Sequence, residues 1–207
     1  MSGQVNQRLI FIYNGVSRIQ TGINIGVMLG IIYGIALLVI NLLGSMSIEA
    51  MIRGYGILQV AEVAVGLPVL YHYMYRGFNE LTKADSARYG IGRLGVILLL
   101  VISPLLLAEG LYFILVDVSQ SIFLLLRVVD SVVALVIYVL ILVALYRLGS
   151  EFNVDHLRIG AILVIVSAVI LVTPNILAAI IGLVGVVLTI TGIGEVKRVV
   201  EEKIKGM

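Results

Sequence analysis

The sequence predicts an all-α protein: a polytopic transmembrane helical bundle with six spans and with its N and C termini in the cytoplasm. Of the 207 residues, 61% are hydrophobic and 13% are charged, whereas a soluble domain is about 45–50% apolar and about 25% charged. The apolar residues also form long runs, and the basic residues cluster between alternate runs. This composition excludes a soluble enzyme, a disordered chain and a disulfide-stabilised secreted domain.

Six apolar runs are candidate spans when they are judged against the roughly 20 residues that a spanning helix needs. They cover residues 23–43, 54–75, 94–115, 122–146, 159–173 and 176–193. The second run is the least apolar, since it contains Gln59 and Glu62, and the fifth is short. Thr173, Pro174 and Asn175 favour a tight turn, so we expect the last two spans to form a hairpin. The whole chain, residues 1–207, forms a single integral membrane domain in this prediction.

The placement of the basic residues predicts the orientation of the bundle. With the N terminus in the cytoplasm, the inner segments hold 12 of the 14 Lys and Arg residues. Arg53 lies at an outer helix end, and Arg127 lies within a span. Such a bias in short loops specifies the topology of a membrane protein. The sequence therefore predicts a multi-pass protein of the cell membrane whose first span serves as an uncleaved targeting signal.

Two segments outside the spans also have helical patterns. Residues 6–20 place five apolar side chains on one helical face: Leu9, Ile12, Tyr13, Val16 and Ile19. This pattern suits either an interfacial amphipathic helix or an inward extension of the first span. The inner loop 76–93 has apolar residues at helical spacing. Basic residues lie near glycines at several span ends, which would fit a helical hairpin repeated three times. The simpler explanation is that basic residues lie at every cytoplasmic helix end.

Four ionisable residues within the spans are the candidate functional residues: Glu62, Glu109, Arg127 and Asp130. Each costs roughly 2.5 kcal/mol or more at membrane depth unless it has a partner or a water-filled path. Arg127 and Asp130 are three residues apart and share a helical face, and spans three and four must be neighbours, so we expect Arg127 to bridge Asp130 and Glu109. This intramembrane polar cluster is either a structural ion-pair cluster, which we favour, or a proton or ion relay through Glu62.

Proline and glycine residues mark further candidate positions. Pro68 and Pro104 are predicted helix kinks, because proline removes a backbone hydrogen bond. Gly26, Gly30 and Gly34 repeat the GxxxG spacing, which allows close helix packing, chiefly within the bundle and less clearly in a dimer.

We expect no cofactor, no metal and no catalytic residue. The chain contains no Cys and two His residues, His72 and His156, whereas haem, zinc and copper sites draw mainly on these residue types. Phosphate-binding, zinc-protease and nucleophile-elbow motifs are missing. The expected partners are the lipid bilayer and other membrane protein subunits or further copies of the chain, with no nucleic acid.

Several short motifs recur near the helix ends: GFNEL at 77–81, YGIGRLG at 89–95, YRLG at 146–149, RIGAIL at 158–163 and TGIGEV at 191–196. Together they resemble the archaeal membrane-protein family called domain of unknown function 973. The resemblance covers most of the chain. It implies an archaeal, thermophilic source and a membrane location, and it transfers no catalytic residue.

Taken together, these features favour a non-catalytic membrane protein that acts as a subunit or scaffold. Short loops, missing cofactor ligands and Gly-rich helix faces support this hypothesis. The alternative is a small transporter or channel, with a polar path through the four ionisable residues. A lipid-modifying enzyme ranks last, because paired carboxylates or a His cluster are missing from the inner surface.

Overall fold

The computed structural model describes residues 2–44, 47–170 and 176–206, and every regular element in these ranges is helical. The α-helices are α1 (Ser2–Gly44), α2 (Ile48–Val69), α3 (Arg76–Ala84), α4 (Ser86–Leu115), α5 (Gln120–Phe152), α6 (Asp155–Ile170) and α7 (Ile176–Lys205). A π-helical segment, Leu70–Tyr75, joins α2 to α3. The predicted all-α class is therefore confirmed.

Five stretches of helix are long and apolar enough to cross a membrane. They are Gln7–Leu42, Ile48–Ala84, Ser86–Leu115, Gln120–Phe152 and Leu177–Lys205. The predicted fifth span corresponds to α6, of which 16 residues are described, and α6 is not among the five. The predicted turn at 173–175 lies outside the described residues. The chain thus has the architecture of a membrane protein with several spanning helices.

The six long helices form a ring. In the order α1, α2, α4, α5, α6 and α7, each helix contacts the next, and α7 contacts α1. The short helix α3 packs against α1 and α4. We call the end of the bundle that carries Arg8, Arg88, Arg147 and Lys205 the basic end. The end where α4 stops and α5 begins is the opposite end.

The main hydrophobic core lies toward the basic end, and α1 contributes a full face to it. Ile12, Val16 and Ile19 are completely buried, together with Phe78 and Leu81 of α3. Because α1 is one continuous helix, residues 6–20 extend the first span toward the basic end. The alternative of a separate interfacial helix is not found, since residues 6–20 belong to α1 and their apolar face is covered by other helices of the chain. The helix expected from the spacing in the inner loop is α3.

Polar side chains set the starts of three helices. Ser47 accepts a hydrogen bond from the backbone N–H of Ala50 at 3.2 Å, and Asp85 accepts one from that of Arg88 at 3.0 Å. Ser119 caps α5 in the same way. These caps satisfy N–H groups that have no partner within the first helical turn. The capped beginnings of α2 and α5 lie at the opposite end, beside the end of α4.

Close helix packing occurs at glycines other than those predicted. A Cβ atom on Gly56 of α2 would lie 2.6 Å from the carbonyl oxygen of Gly110 on α4, and one on Gly15 of α1 would lie 2.8 Å from that of Gly77. By contrast, a Cβ atom at Gly26, Gly30 or Gly34 would meet no described atom within 4 Å. These three glycines therefore face no other described helix closely, and their role in helix packing remains a prediction.

Candidate functional site

The structure brings the four predicted ionisable residues into one region of the bundle. Glu62 lies on α2, Glu109 on α4, and Arg127 and Asp130 on α5. At a rise of about 1.5 Å per residue, Glu109 and Arg127 lie about 10 Å from the helix ends at the opposite end. Asp130 lies about 15 Å and Glu62 about 21 Å from the same end. The cluster thus runs from near the opposite end of the bundle to the middle of a bilayer-sized span.

Arg127 is the positive centre of this region. Its Nη1 lies 3.9 Å from Oδ2 of Asp130, which is an ion pair too long for a hydrogen bond. Its guanidinium lies over the ring of Tyr55, 5.3 Å from the centroid. Glu62 of α2 and Tyr33 of α1 also face Arg127. A single cation is therefore shared among groups from three helices.

Gln59 is a site residue that sequence reasoning did not select as a candidate. It is 6% exposed, and its Nε2 donates to the backbone oxygen of Leu106 at 3.0 Å and to Oε2 of Glu109 at 3.3 Å. The signal was present, since a glutamine within an apolar run must be satisfied at membrane depth. The close approach of α2 and α4 at Gly56 and Gly110 allows Gln59 to reach across. We call Tyr33, Gln59, Glu62, Glu109, Arg127 and Asp130 the intramembrane cluster.

Three buried oxygen atoms of this cluster have no hydrogen-bond partner among the described residues: Oε1 of Gln59, Oε1 of Glu109 and Oδ2 of Asp130. The carboxyl groups of Glu109 and Asp130 are also close enough to hydrogen-bond with each other. Buried polar atoms are normally satisfied, and each one left without a partner costs about 1–3 kcal/mol. Each of these three oxygen atoms needs a donor that the described side chains and backbone do not supply.

An apolar layer separates the intramembrane cluster from the opposite end. Ile52, Phe113 and Phe123 form a small buried core, with the ring centroids of Phe113 and Phe123 5.3 Å apart. Above it lies an open pocket of about 360 Å³. At its rim Arg53 forms ion pairs with Glu49 at 2.8 Å and with Asp117 at 3.0 Å. The pocket therefore has a charged mouth and an apolar floor, directly above the cluster.

The predicted kink positions lie within helices that continue past them. Pro104 lies inside α4. Pro68 lies near the end of α2, two residues before the π-helical segment. π-Helical turns are rare and often lie at functional sites. The bends themselves remain predictions.

A second polar cluster, at the basic end, was missed. Glu151 of α5 accepts hydrogen bonds from Arg8 of α1 at 2.5 Å, from Arg88 of α4 at 2.9 Å and from the hydroxyl of Tyr89 at 2.5 Å. The Glu151 side chain is 10% exposed and Tyr89 is completely buried. No spacing rule links residues more than 60 positions apart, so the sequence carried little signal for this site. It closes the basic end by tying three helices together.

The two histidines have different partners in the structure. His156 pairs with Glu195 at 2.9 Å, and His72 packs edge-on against Tyr71. Among the described residues, no three His, Cys, Asp or Glu side chains are placed to hold a metal ion.

Comparison with known proteins identifies the family of the chain. No curated protein and no solved structure matches it. The model of one protein family, described as a protein of unknown function (DUF973), matches residues 8–206. This match covers nearly the whole chain, and the protein therefore belongs to the DUF973 family.

Proposed function

We propose that this protein is a small transporter or channel for protons or other small cations, with its polar path through Glu62, Glu109, Arg127 and Asp130. The observation that carries the proposal is the set of three buried oxygen atoms without donors in the intramembrane cluster. Unpaired oxygen atoms at membrane depth suit a ligand that supplies positive charge or a proton.

The charge balance of the cluster supports a cation. Three carboxyl groups, those of Glu62, Glu109 and Asp130, surround the single guanidinium of Arg127. If all of them were ionised, the site would carry a net charge of about −2, and an uncompensated charge at this depth is costly. A structural ion-pair cluster would be close to neutral. A bound cation or proton brings the site toward neutrality.

The placement of Glu62 supports a path deeper into the bundle. Its side chain is exposed in the single chain, so water, lipid or another protein must surround it. Contact of a carboxylate with lipid is unfavourable. A water-filled path along α2 would account for this exposure. Such a path would lead from Glu62 toward Pro68 and the π-helical segment.

The membrane placement is part of the same proposal. The chain crosses the cell membrane six times, with α6 as the short fifth span, and both termini lie in the cytoplasm of an archaeal cell. The basic end then faces inward, as the distribution of Lys and Arg predicts. The charged mouth at Glu49, Arg53 and Asp117 faces outward. The protein has no catalytic residues and no cofactor.

Ion flux in proteoliposomes tests the proposal. The purified full chain is reconstituted, and proton or cation movement is followed with a pH-sensitive or cation-sensitive dye. Wild-type flux above empty liposomes is expected, with loss of at least about tenfold in Glu62→Gln. Glu202→Gln is the matched control, since it removes an exposed carboxylate near the end of α7, away from the path, and is expected to keep flux. Impermeable wild-type liposomes would contradict the proposal.

The second candidate function is a subunit or scaffold that packs against other membrane proteins. It is favoured by Gly26, Gly30 and Gly34, at which an added Cβ atom would meet no described atom of another helix within 4 Å. Small residues at this spacing allow a second helix to approach closely. Gentle extraction from native membranes, followed by sizing and mass spectrometry, tests it. A defined larger complex that is lost in Gly30→Leu supports this function, whereas a solitary chain contradicts it.

A further inference from the structure

We propose that Glu109 and Asp130 form a proton-binding pair that holds one proton between their two carboxyl groups. This makes the proton the ion that the transporter carries, a step that rests on the proposed function. The evidence lies in which donors reach the two side chains and which do not.

Among the described residues, two side-chain donors approach the pair, one from Gln59 and one from Arg127. Nε2 of Gln59 reaches Oε2 of Glu109 at 3.3 Å. Nη1 of Arg127 stops 3.9 Å from Oδ2 of Asp130. No described donor satisfies the buried Oε1 of Glu109 or Oδ2 of Asp130, although the two carboxyl groups face each other. Two ionised carboxylates accept and cannot donate, so a hydrogen bond between them requires one proton.

The groups that face the pair from neighbouring helices favour one bound proton. From α2 they are Gln59, which is neutral, and Glu62, which reaches the pair only through Arg127. From α5 the single cation is Arg127. With one proton the pair carries a charge of −1, which Arg127 balances. Like charges in contact at membrane depth are costly, and one proton removes that repulsion.

The unpaired oxygen of Gln59 gives the proton a next position. Oε1 of this 6% exposed side chain is buried without a donor, and Glu62 lies three residues further along the same helix, on the same face. A water molecule or hydronium that donates to Oε1 would connect the pair to Glu62. When the proton leaves the pair and binds Glu62, the pair gains one negative charge and Glu62 loses one. The charge of the cluster is unchanged.

Infrared difference spectroscopy of the full-length protein in detergent tests the pair directly. A protonated carboxyl group has a carbonyl stretch, separate from that of a carboxylate, that shifts in deuterated water. The measurement uses the Glu62→Gln background, so that Glu62 cannot contribute. At neutral pH this band is expected, and it should disappear in both Glu109→Gln and Asp130→Asn. Asp117→Asn, which removes an exposed carboxylate, should leave it unchanged. Gel filtration checks that each variant is folded. If one of the two pair variants does not fold, the other alone provides the test.

The possible results separate this inference from the proposed function. Absence of the band at neutral pH, or its persistence in both pair variants, overturns the proton-binding pair. A band that appears only after sodium is replaced by choline also overturns it, since the pair then binds sodium. If the band behaves as expected and liposomes remain proton-tight, the pair stands and the transport function fails. If protons cross and the band is missing, the transport function stands and the pair fails.

Discussion

Tyr89 of α4 donates a hydrogen bond of 2.5 Å from its hydroxyl to Oε2 of Glu151 on α5. The phenol is completely buried, and the same carboxylate also binds Arg8 and Arg88. Three donors satisfy the hydrogen-bonding capacity of this buried carboxylate. When one partner is lost, the groups that remain are buried without a full set of hydrogen bonds, which costs free energy. This one acceptor therefore links α1, α4 and α5 at the basic end.

We predict that Glu151→Gln destabilises the protein by about 2–4 kcal/mol, because the variant leaves two guanidinium groups without their carboxylate. Tyr89→Phe should cost less, about 1–2 kcal/mol. Unfolding in mixed detergent and denaturant measures both. Glu201→Gln is the control, since this exposed residue pairs with Lys205 on the surface and should change stability by less than about 0.5 kcal/mol. Equal effects for Glu151→Gln and Glu201→Gln would contradict the role of Glu151.

The close approach of α2 and α4 predicts opposite effects for two glycine substitutions. Gly56→Ala places a methyl group against the backbone of Gly110 and should cost about 1–3 kcal/mol, because the helices must separate. Gly66→Ala meets open space and should be neutral or stabilising by up to about 1 kcal/mol, since Ala favours helix over Gly. Thermal unfolding of both variants provides the comparison. A destabilised Gly66→Ala would show that α2 has a further neighbour.

Gln59→Leu separates function from stability. The substitution keeps the side-chain volume and removes the donor to Glu109. We expect flux to fall by about tenfold while stability changes by less than about 1.5 kcal/mol, because an apolar residue of similar size suits this depth. Reconstituted flux and unfolding are measured on the same preparation. Unchanged flux would remove Gln59 from the path.

The apolar layer predicts the barrier to the path. Phe113 is completely buried between α2 and α5, so Phe113→Ala should connect the pocket at the opposite end with the intramembrane cluster. Ion leak through proteoliposomes should rise severalfold. Phe11→Ala, at the basic end, is the control for loss of an aromatic side chain. A leak that stays at the wild-type level would place the barrier elsewhere.

The absence of cysteine from the sequence makes the topology directly testable. A single cysteine at Asp117 should react with a membrane-impermeant maleimide in intact cells. One at Glu202, an exposed residue near the end of α7, should react only after the cells are permeabilised. Both positions are on the surface, so the substitutions should not disturb the fold. Labelling of Glu202→Cys in intact cells would reverse the predicted orientation.

The sequence predicted the helices because apolar runs of this length have few alternatives in a bilayer. It also selected Glu62, Glu109, Arg127 and Asp130, since ionisable residues in such runs are rare. It missed Glu151, which resembles an ordinary loop residue in the sequence. Its three partners, Arg8, Arg88 and Tyr89, are distant in the sequence and come together only in the folded bundle. It placed close packing at Gly26, Gly30 and Gly34, because the GxxxG spacing gives no information about which helix face meets a neighbour.

The π-helical segment sets the angle about the helix axis between the polar face of α2 and the apolar face of α3. Each residue in an α-helix turns the chain by about 100°, whereas a π-helical turn accommodates one extra residue. Gln59 and Glu62 precede this segment, and Phe78 and Leu81 follow it. Deletion of one residue within Leu70–Tyr75 would rotate α3 by about 100° relative to α2. The polar face of α2, with Gln59 and Glu62, could then meet α4 and α5 only if the apolar face of α3 left the core.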